Sequence, residues 1–509
     1  MKRLPLRPWL ATIVLLLLPT ALYWSTIFHR YGFRDDYSVL RESREEPGKI
    51  VQVCAMQARP IYGVLLESSF GRLRTIDGLA GLRLLSALLL GVAAATLFWI
   101  LRRQKWERAL ALLLATLVVV LPGAQLFVAW TVAWPLAIAL WLALVAFACA
   151  ENAFEENSCA TRIVFWALAV LLVMASALIY QPNSLFYLVP VAAGLWPRRR
   201  RIERNVVEWF VRHGATVVLG LAGAFTVTMV GFAREWMPVS NRVALEHDGL
   251  GKFFWFLAEP LQNALALILI NDDGGSPAVH RAAALVMLVL IAGVIGEWRT
   301  RGARHGLWWA LALCALLVGS FGVNLFVADR WAAYRVLLPL SGVIAVFLAM
   351  ALLTLGGRRW ARAGFAALVV GGVWLARSQA FDLIAWPQSI ELALLEKAAA
   401  RIAPAERPSV FVITPTPDER VAPRVFHDEF GSLSTDSDWV PKEMLKDIMR
   451  ERFPATPAIA TSYAFACGRK LPPEESFDVI VDLRVLRGFR GAPVGARSPA
   501  ATVEAVGSR

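Results

Sequence analysis

Apolar runs near twenty residues long recur along this 509-residue chain, and that recurrence is its strongest constraint. About twenty apolar residues, as a helix, cross the hydrocarbon of a bilayer. In that solvent only helices and closed barrels satisfy their own backbone hydrogen bonds. The runs are continuous rather than alternating, so the prediction is an α-helical polytopic membrane protein. The chain is 57% hydrophobic and only 18% charged, where soluble globular chains are roughly half apolar and a quarter charged.

The formal net charge of +13 falls in short clusters between the runs, such as Arg102-Arg103 and Arg198-Arg199-Arg200-Arg201. Clusters of this kind follow the positive-inside rule for cytoplasmic loops and argue against a nucleic-acid partner. With Lys2, Arg3 and Arg7 ahead of the first run, they predict about eleven spans, the N-terminus inside and the C-terminus outside. The spans are expected near 8–28, 79–101, 109–122, 131–150, 163–180, 185–196, 214–233, 279–297, 307–327, 336–356 and 364–386. The first is too long for a signal-peptide core and no A-x-A-like site follows it, so it is read as an uncleaved span. Pro122-Gly123-Ala124-Gln125 is expected as an uncharged outer turn. Two long outer loops follow from the same pattern. Loop 29–78 is expected to hold a pair of short interfacial helices, and loop 234–278 an interfacial or re-entrant helix over 253–270.

Residues 1–386 therefore form one multi-span domain. From 387 the composition turns mixed and proline-rich. Residues 387–509 are predicted as a small α/β extracytoplasmic domain, with strands at 409–414, 458–463 and 477–483, a helix over 439–452 and a disordered tail. The five cysteines show no zinc spacing. Cys149 and Cys314 are expected as small core residues. Cys54 and Cys467 both fall outside in this topology, where a disulfide is permitted.

Ionisable side chains near bilayer depth are costly and mark function. Here they gather on the predicted outer side, while the middles of the spans are nearly free of charge. A coupled transporter needs carboxylates or broken helices near the midplane, and neither is evident. Asp35-Asp36, just past the first span, are the candidate catalytic residues. A carboxylate there can serve as general base toward an acceptor hydroxyl, and an adjacent pair can instead hold a divalent cation, Mg or Mn, or cap a helix. Arg330 and Arg335, with the deeper Arg377, offer forks suited to a phosphate. Asp382 is a candidate partner for Arg377. Tyr180-Gln181-Pro182-Asn183 places Tyr180, Gln181 and Asn183 at an outer turn where they can hydrogen-bond a sugar. Asp272-Asp273 is a weaker cation candidate, and His247-Asp248 and His427-Asp428 are expected at the surface. Residues 428–434 are either an acceptor contact or a capping loop.

Four segments, Arg34-Asp35-Asp36-Tyr37, Ala58-Arg59-Pro60-Ile61-Tyr62-Gly63, Tyr180-Gln181-Pro182 and Tyr334-Arg335-Val336-Leu337-Leu338-Pro339, resemble GT-C-type glycosyltransferases. Within that superfamily they are most similar to bacterial membrane glucosyltransferases of the GtrII kind. Ala58 departs from the Gly-Arg-Pro form of the second segment. The resemblance covers residues 8–390 as architecture. It implies a sugar donor linked to polyprenyl phosphate, a glycan or lipid acceptor, catalysis by Asp35 or Asp36, and a substrate contact at Arg59. Two rival expectations are a transporter or flippase of lipid-linked glycans and a non-enzymatic membrane scaffold presenting the C-terminal domain.

Overall fold

The computed structural model describes residues 8–199, 204–272, 275–400, 409–414, 429–454, 464–470 and 477–484. The chain opens with α1 (Pro8–Leu22) and α2 (Trp24–Phe28), separated by Tyr23. The polar segment that follows is three short helices, α3 (Asp35–Glu45), α4 (Lys49–Met56) and α5 (Pro60–Phe70). Gly48 takes the left-handed conformation that starts α4, φ 89°. Glu67 on α5 accepts the α4 N-terminal amides of Gly48 (2.7 Å) and Val51 (3.3 Å). At Gly63 a Cβ would lie 2.7 Å from the Val51 backbone, so only glycine allows the two helices to touch.

Next come α6 (Leu79–Arg103), α7 (Arg108–Val120), α8 (Pro122–Ala129), α9 (Trp134–Glu155), α10 (Cys159–Ser184), α11 (Leu188–Arg198) and α12 (Arg204–Ala233). The second long loop holds α13 (Gly249–Ala258) and α14 (Pro260–Leu265), broken at Glu259. The last helical block is α15 (Pro277–Arg301), α16 (Ala303–Ser320), α17 (Gly322–Phe326), α18 (Tyr334–Ala380), a π-helical turn Phe381–Ala385, and α19 (Trp386–Ala399). The helical chain thus continues past the composition change at 387.

Seven helical runs are long and apolar enough to cross a membrane, or eight if α7 and α8, bent by 55°, make one span. Two of these runs fold back on themselves. In α18 Gly357 has φ 71°, and a Cβ at Gly364 would sit 3.3 Å from the Leu352 side chain. A straight helix would hold those residues about 18 Å apart. Between α10 and α11 the backbone breaks at Tyr180, φ −156° and ψ 106°. Ser176 and Asn183 on α10 reach the carbonyls of Ala139 and Leu136, running antiparallel to α9. Arg198 on α11 then meets Glu151 at 3.4 Å, so α11 runs back alongside α9. The passes predicted at 185–196 and 8–28 are present as helices of only 11 and 15 residues.

This weave sorts the charges. Arg103 and Arg198 at the ends of α6 and α11, Arg199 just past α11, and Arg362 beyond Gly357 meet acidic residues at one end, through Arg103–Glu155 (2.6 Å), Arg198–Glu151, Arg199–Glu297 of α15 and Arg362–Glu107 (2.7 Å). Asp35, Arg59, Tyr180 and Arg335 lie at the other. The expected turn at Pro122–Gln125 is instead the start of α8 and is buried. Proline is well suited to the first helical position, and the chain turns at Trp130–Ala133.

β1 (Val410–Ile413) is the centre of a parallel sheet of order β2-β1-β3, with β2 (Phe465–Gly468) and β3 (Val479–Asp482). Between β1 and β2 lies α20 (Val440–Arg452), close to the predicted helix. The strand expected at 458–463 and the tail beyond 484 lie outside the described residues. The unit sits on the Asp35 end. Arg41 pairs with Glu443 at 2.5 Å, Arg30 with Glu451 at 2.6 Å, and Arg450 with Glu45. Cys54 and Cys467 are free thiols rather than a disulfide. Cys149 is buried as expected, while Cys314 is exposed on its helix.

Candidate functional site

The two adjacent aspartates have separate fates. Arg34, just before α3, has φ 46° and ψ −105°, and this sharp entry turns consecutive carboxylates in different directions. Asp36 is fully buried. It accepts the backbone N–H groups of Phe33 (2.9 Å), Val132 (2.8 Å) and Thr131 (3.3 Å). It thereby ties the first loop to the turn between α8 and α9. Burial pushes its carboxyl up to about 6, against the pull of those amides. Asp35 is half-buried, and no hydrogen bond or ion pair with a described residue engages its carboxyl. Burial raises it above the usual carboxylate range, while the charges of Arg34, Arg335 and Arg242 act in the opposite sense.

Arg83 holds the chain leading to this turn. It is fully buried and donates to the carbonyls of Ile27 (3.0 Å), His29 (2.7 Å) and Tyr31 (2.9 Å). Tyr31 Oη donates to the Ala129 carbonyl at 2.7 Å and Trp130 Nε1 to that of Phe33 at 3.0 Å.

The kink at Tyr180 brings its ring under two arginines. The Arg59 guanidinium stacks on the ring at 4.6 Å, and Arg335 Nε donates to Tyr180 Oη at 3.2 Å. Gln181 accepts from Arg59 Nε (3.1 Å) and donates to the Ala58 carbonyl (2.8 Å). Ala58 has φ 61°, a conformation that favours glycine. The departure from Gly-Arg-Pro therefore falls where a side chain is strained. Arg335 also lies between Trp130 and Trp331, at 5.0 and 5.3 Å, and pairs with Glu429.

These groups form one end of a cavity of about 610 Å³. Arg59, Arg242 and Arg335 line that end, with Asp329 the one carboxylate among the lining residues. The remaining walls are mostly hydrocarbon, chiefly Val218, Leu221, Phe225 and Met229 of α12 with Phe326 and Val327 beyond α16, and include the polar Thr228 and Asn324. Val218 and Phe225 are 63% and 56% exposed while also lining the cavity, so the apolar end opens sideways to whatever surrounds the helices. A space that is cationic at one end and laterally open hydrocarbon at the other suits an anion carried on an apolar chain.

Other expected residues lie elsewhere. Arg330 is outside the cavity, paired with Glu246 (3.7 Å) and Asp248 (3.3 Å). Arg377 is exposed on α18, and Asp382, its expected partner, accepts instead from Ser378 at 2.6 Å. Asn183 is buried on the Leu136 carbonyl and does not face the cavity. Asp273 and His427-Asp428 lie outside the described residues. Sequence reasoning passed over Arg242, which donates to Gln57 Oε1 at 3.4 Å. Its only signal was its place as one of two arginines, with Arg234, in the second outer loop.

The donor set does not fit a divalent cation. Both Asp36 oxygens are taken by backbone amides, three arginines act on Asp35, and among the described residues no three His, Cys, Asp or Glu side chains could hold a metal ion.

No protein-family model and no curated protein matches the chain. Among solved structures it is similar to the crystal structure of the Archaeoglobus fulgidus oligosaccharyltransferase in complex with zinc and sulfate, at 14% sequence identity and a TM-score of 0.40. The match covers 79% of this chain and 60% of that one. At that depth the likeness has no bearing on activity.

Proposed function

We propose that this chain is a membrane glycosyltransferase that moves a sugar from a polyprenyl-phosphate-linked donor to a hydroxyl of a glycan or lipid acceptor. The observation that carries this reading is the cavity with three arginines at one end and open hydrocarbon walls at the other, together with the Asp35 carboxylate, which does not line the cavity but feels the charges of Arg335 and Arg242. The polyprenyl chain lies along α12, and Arg59, Arg242 and Arg335 face the phosphate.

Asp35 takes the acceptor hydroxyl proton as the acceptor oxygen bonds to the anomeric carbon. The bond from that carbon to the phosphate oxygen breaks, its electrons leave on polyprenyl phosphate, and the anomeric centre inverts. The arginines stabilise the charge that grows on the leaving phosphate, in a site with little water. Asp36 holds the turn and takes no part in proton transfer. Gln181 and Tyr180 position Arg59 and Arg335. By the charge pattern of the loops the reaction takes place at the outer face of the cytoplasmic membrane, with the N-terminus inside and the C-terminal unit outside.

Arg335→Gln keeps a planar amide but removes the charge. In proteoliposomes with an undecaprenyl-phosphate-linked hexose it is expected to lower the transfer rate by about 10²–10³-fold. Wild-type transfer rates in this variant would remove the phosphate from this end of the cavity. Movement of the labelled donor across the bilayer by the wild type, with no glycoside formed, would favour a flippase instead.

A further inference from the structure

We infer that residues 429–436 of the C-terminal unit form a positioning strap for the site, in which Glu429 sets the Arg335 guanidinium and Ser434 sets the turn that presents Asp35. This inference rests on the function proposed above.

The strap is firmly seated. Gly431, at φ 77°, donates its N–H to the Leu383 carbonyl at 2.8 Å. Gln388 Nε2 donates to the Ser432 carbonyl at 2.7 Å. The buried Glu391 carboxylate accepts the N–H groups of Ser434 (2.9 Å) and Thr435 (3.2 Å). Phe430 is fully buried, its ring edge-on to Tyr334 at 5.8 Å. A segment held this way has little freedom to follow the side chains it touches, so it dictates their positions.

Two of its contacts reach the proposed machinery from behind. Glu429 is fully buried, and among the described residues its carboxylate has an ion pair with Arg335 and no hydrogen bond. It pairs with the buried Nη1 of Arg335, Tyr180 Oη accepts from Nε, and the same arginine lines the cavity. An arginine held at two of its nitrogens is oriented before an anion binds, which lowers the ordering cost of binding. Ser434 Oγ accepts the Arg34 N–H at 2.9 Å. Arg34 has a positive φ, a conformation that persists only where the surroundings over-determine it. The C-terminal unit thus holds the phosphate end through one residue and the base through another, five positions apart.

The test uses the full chain in nanodiscs, with undecaprenyl phosphate as probe for binding and the linked hexose for transfer. Glu429→Gln is expected to weaken undecaprenyl phosphate binding about tenfold. Glu429→Asp, which keeps the charge one methylene short, is expected to fall between it and the wild type. Ser434→Ala is expected to leave that binding within about twofold while turnover falls about tenfold. Unchanged or tighter binding in Glu429→Gln would overturn the strap while leaving the donor reading intact. So would parallel losses of binding, turnover and thermal stability in both variants, the mark of a structural role alone. Failure of the wild type to bind undecaprenyl phosphate would remove the donor reading and the strap together.

Discussion

Asp35→Asn is expected to cut sugar transfer by about 10²–10⁴-fold while leaving folding and donor binding near wild type. The carboxylate has no described partner whose loss would disturb the fold, and its neighbours are arginines that act on it through charge. Asn at 35 keeps the shape but cannot accept the acceptor proton. The pH profile carries the same information. Burial places the Asp35 carboxyl above the ordinary value of 3.8, and only its ionised form is a base. Transfer by the wild type should therefore fall as pH drops through that raised value, with its acid limb above the ordinary carboxylate range. Asp36→Asn makes the contrast. Its carboxyl meets three amide N–H groups, so its loss should appear in thermal stability and leave the acid limb in place. Full transfer by Asp35→Asn would end its assignment as base. An acid limb that moves with Asp36 would exchange the two roles.

Arg83→Met is expected to be the most damaging substitution to stability, at about 3–5 kcal/mol. The Arg83 side chain is fully buried and satisfies the carbonyls of Ile27, His29 and Tyr31. Methionine fills much of the volume and supplies no donor. Each buried carbonyl left without a partner costs about 1–3 kcal/mol, and the Tyr31 ring also loses the guanidinium that stacks on it at 4.1 Å. The chain from Ile27 to Tyr31 leads directly into the Asp35 turn, so whatever protein folds should also lose transfer. Thermal unfolding of the purified variant in detergent measures the first effect. An unfolding temperature within about 1 °C of wild type would show that the carbonyls find other donors.

The spans were legible because hydrocarbon permits so few structures. Apolar run length and the arginine clusters marked the helical runs and the reversals near Gly357 and beyond Tyr180, although against eleven expected spans seven helical runs, or eight with the bent pair, are long and apolar enough to cross a membrane. The bent α7–α8 pair was not legible, because Pro122-Gly123 is equally at home in a turn and at a helix start. At the site, Arg59, Tyr180, Gln181 and Arg335 were all flagged from sequence, and the structure places them on the lining of a single cavity, while Asp35, also flagged, is not a lining residue and is linked to it through the charges of Arg335 and Arg242. The division of labour between Asp35 and Asp36 depends on the Thr131 and Val132 amides, about a hundred residues away, and no local pattern encodes it. Arg330 and Arg377 were flagged by depth alone, which says nothing of the direction a side chain takes. Arg330 points to Glu246 and Asp248, and Arg242 takes the place expected for it. Glu429 lay in a segment noted only as an acceptor contact or capping loop, since its partner Arg335 is set by tertiary packing.

The central claim is that the cavity beside α12 holds the polyprenyl phosphate served by Asp35. A photoactivatable undecaprenyl phosphate, with its diazirine in the first isoprene units, tests it on the wild-type chain in nanodiscs. The account predicts adducts at Val218, Phe225 and Met229, competed away by unlabelled undecaprenyl phosphate and reduced in Arg335→Gln. Leu285 and Leu288 on α15 are each 63% exposed and do not line the cavity, so they serve as the reference surface. Labelling spread equally over α12 and α15, with no effect of competitor or of Arg335→Gln, would contradict it.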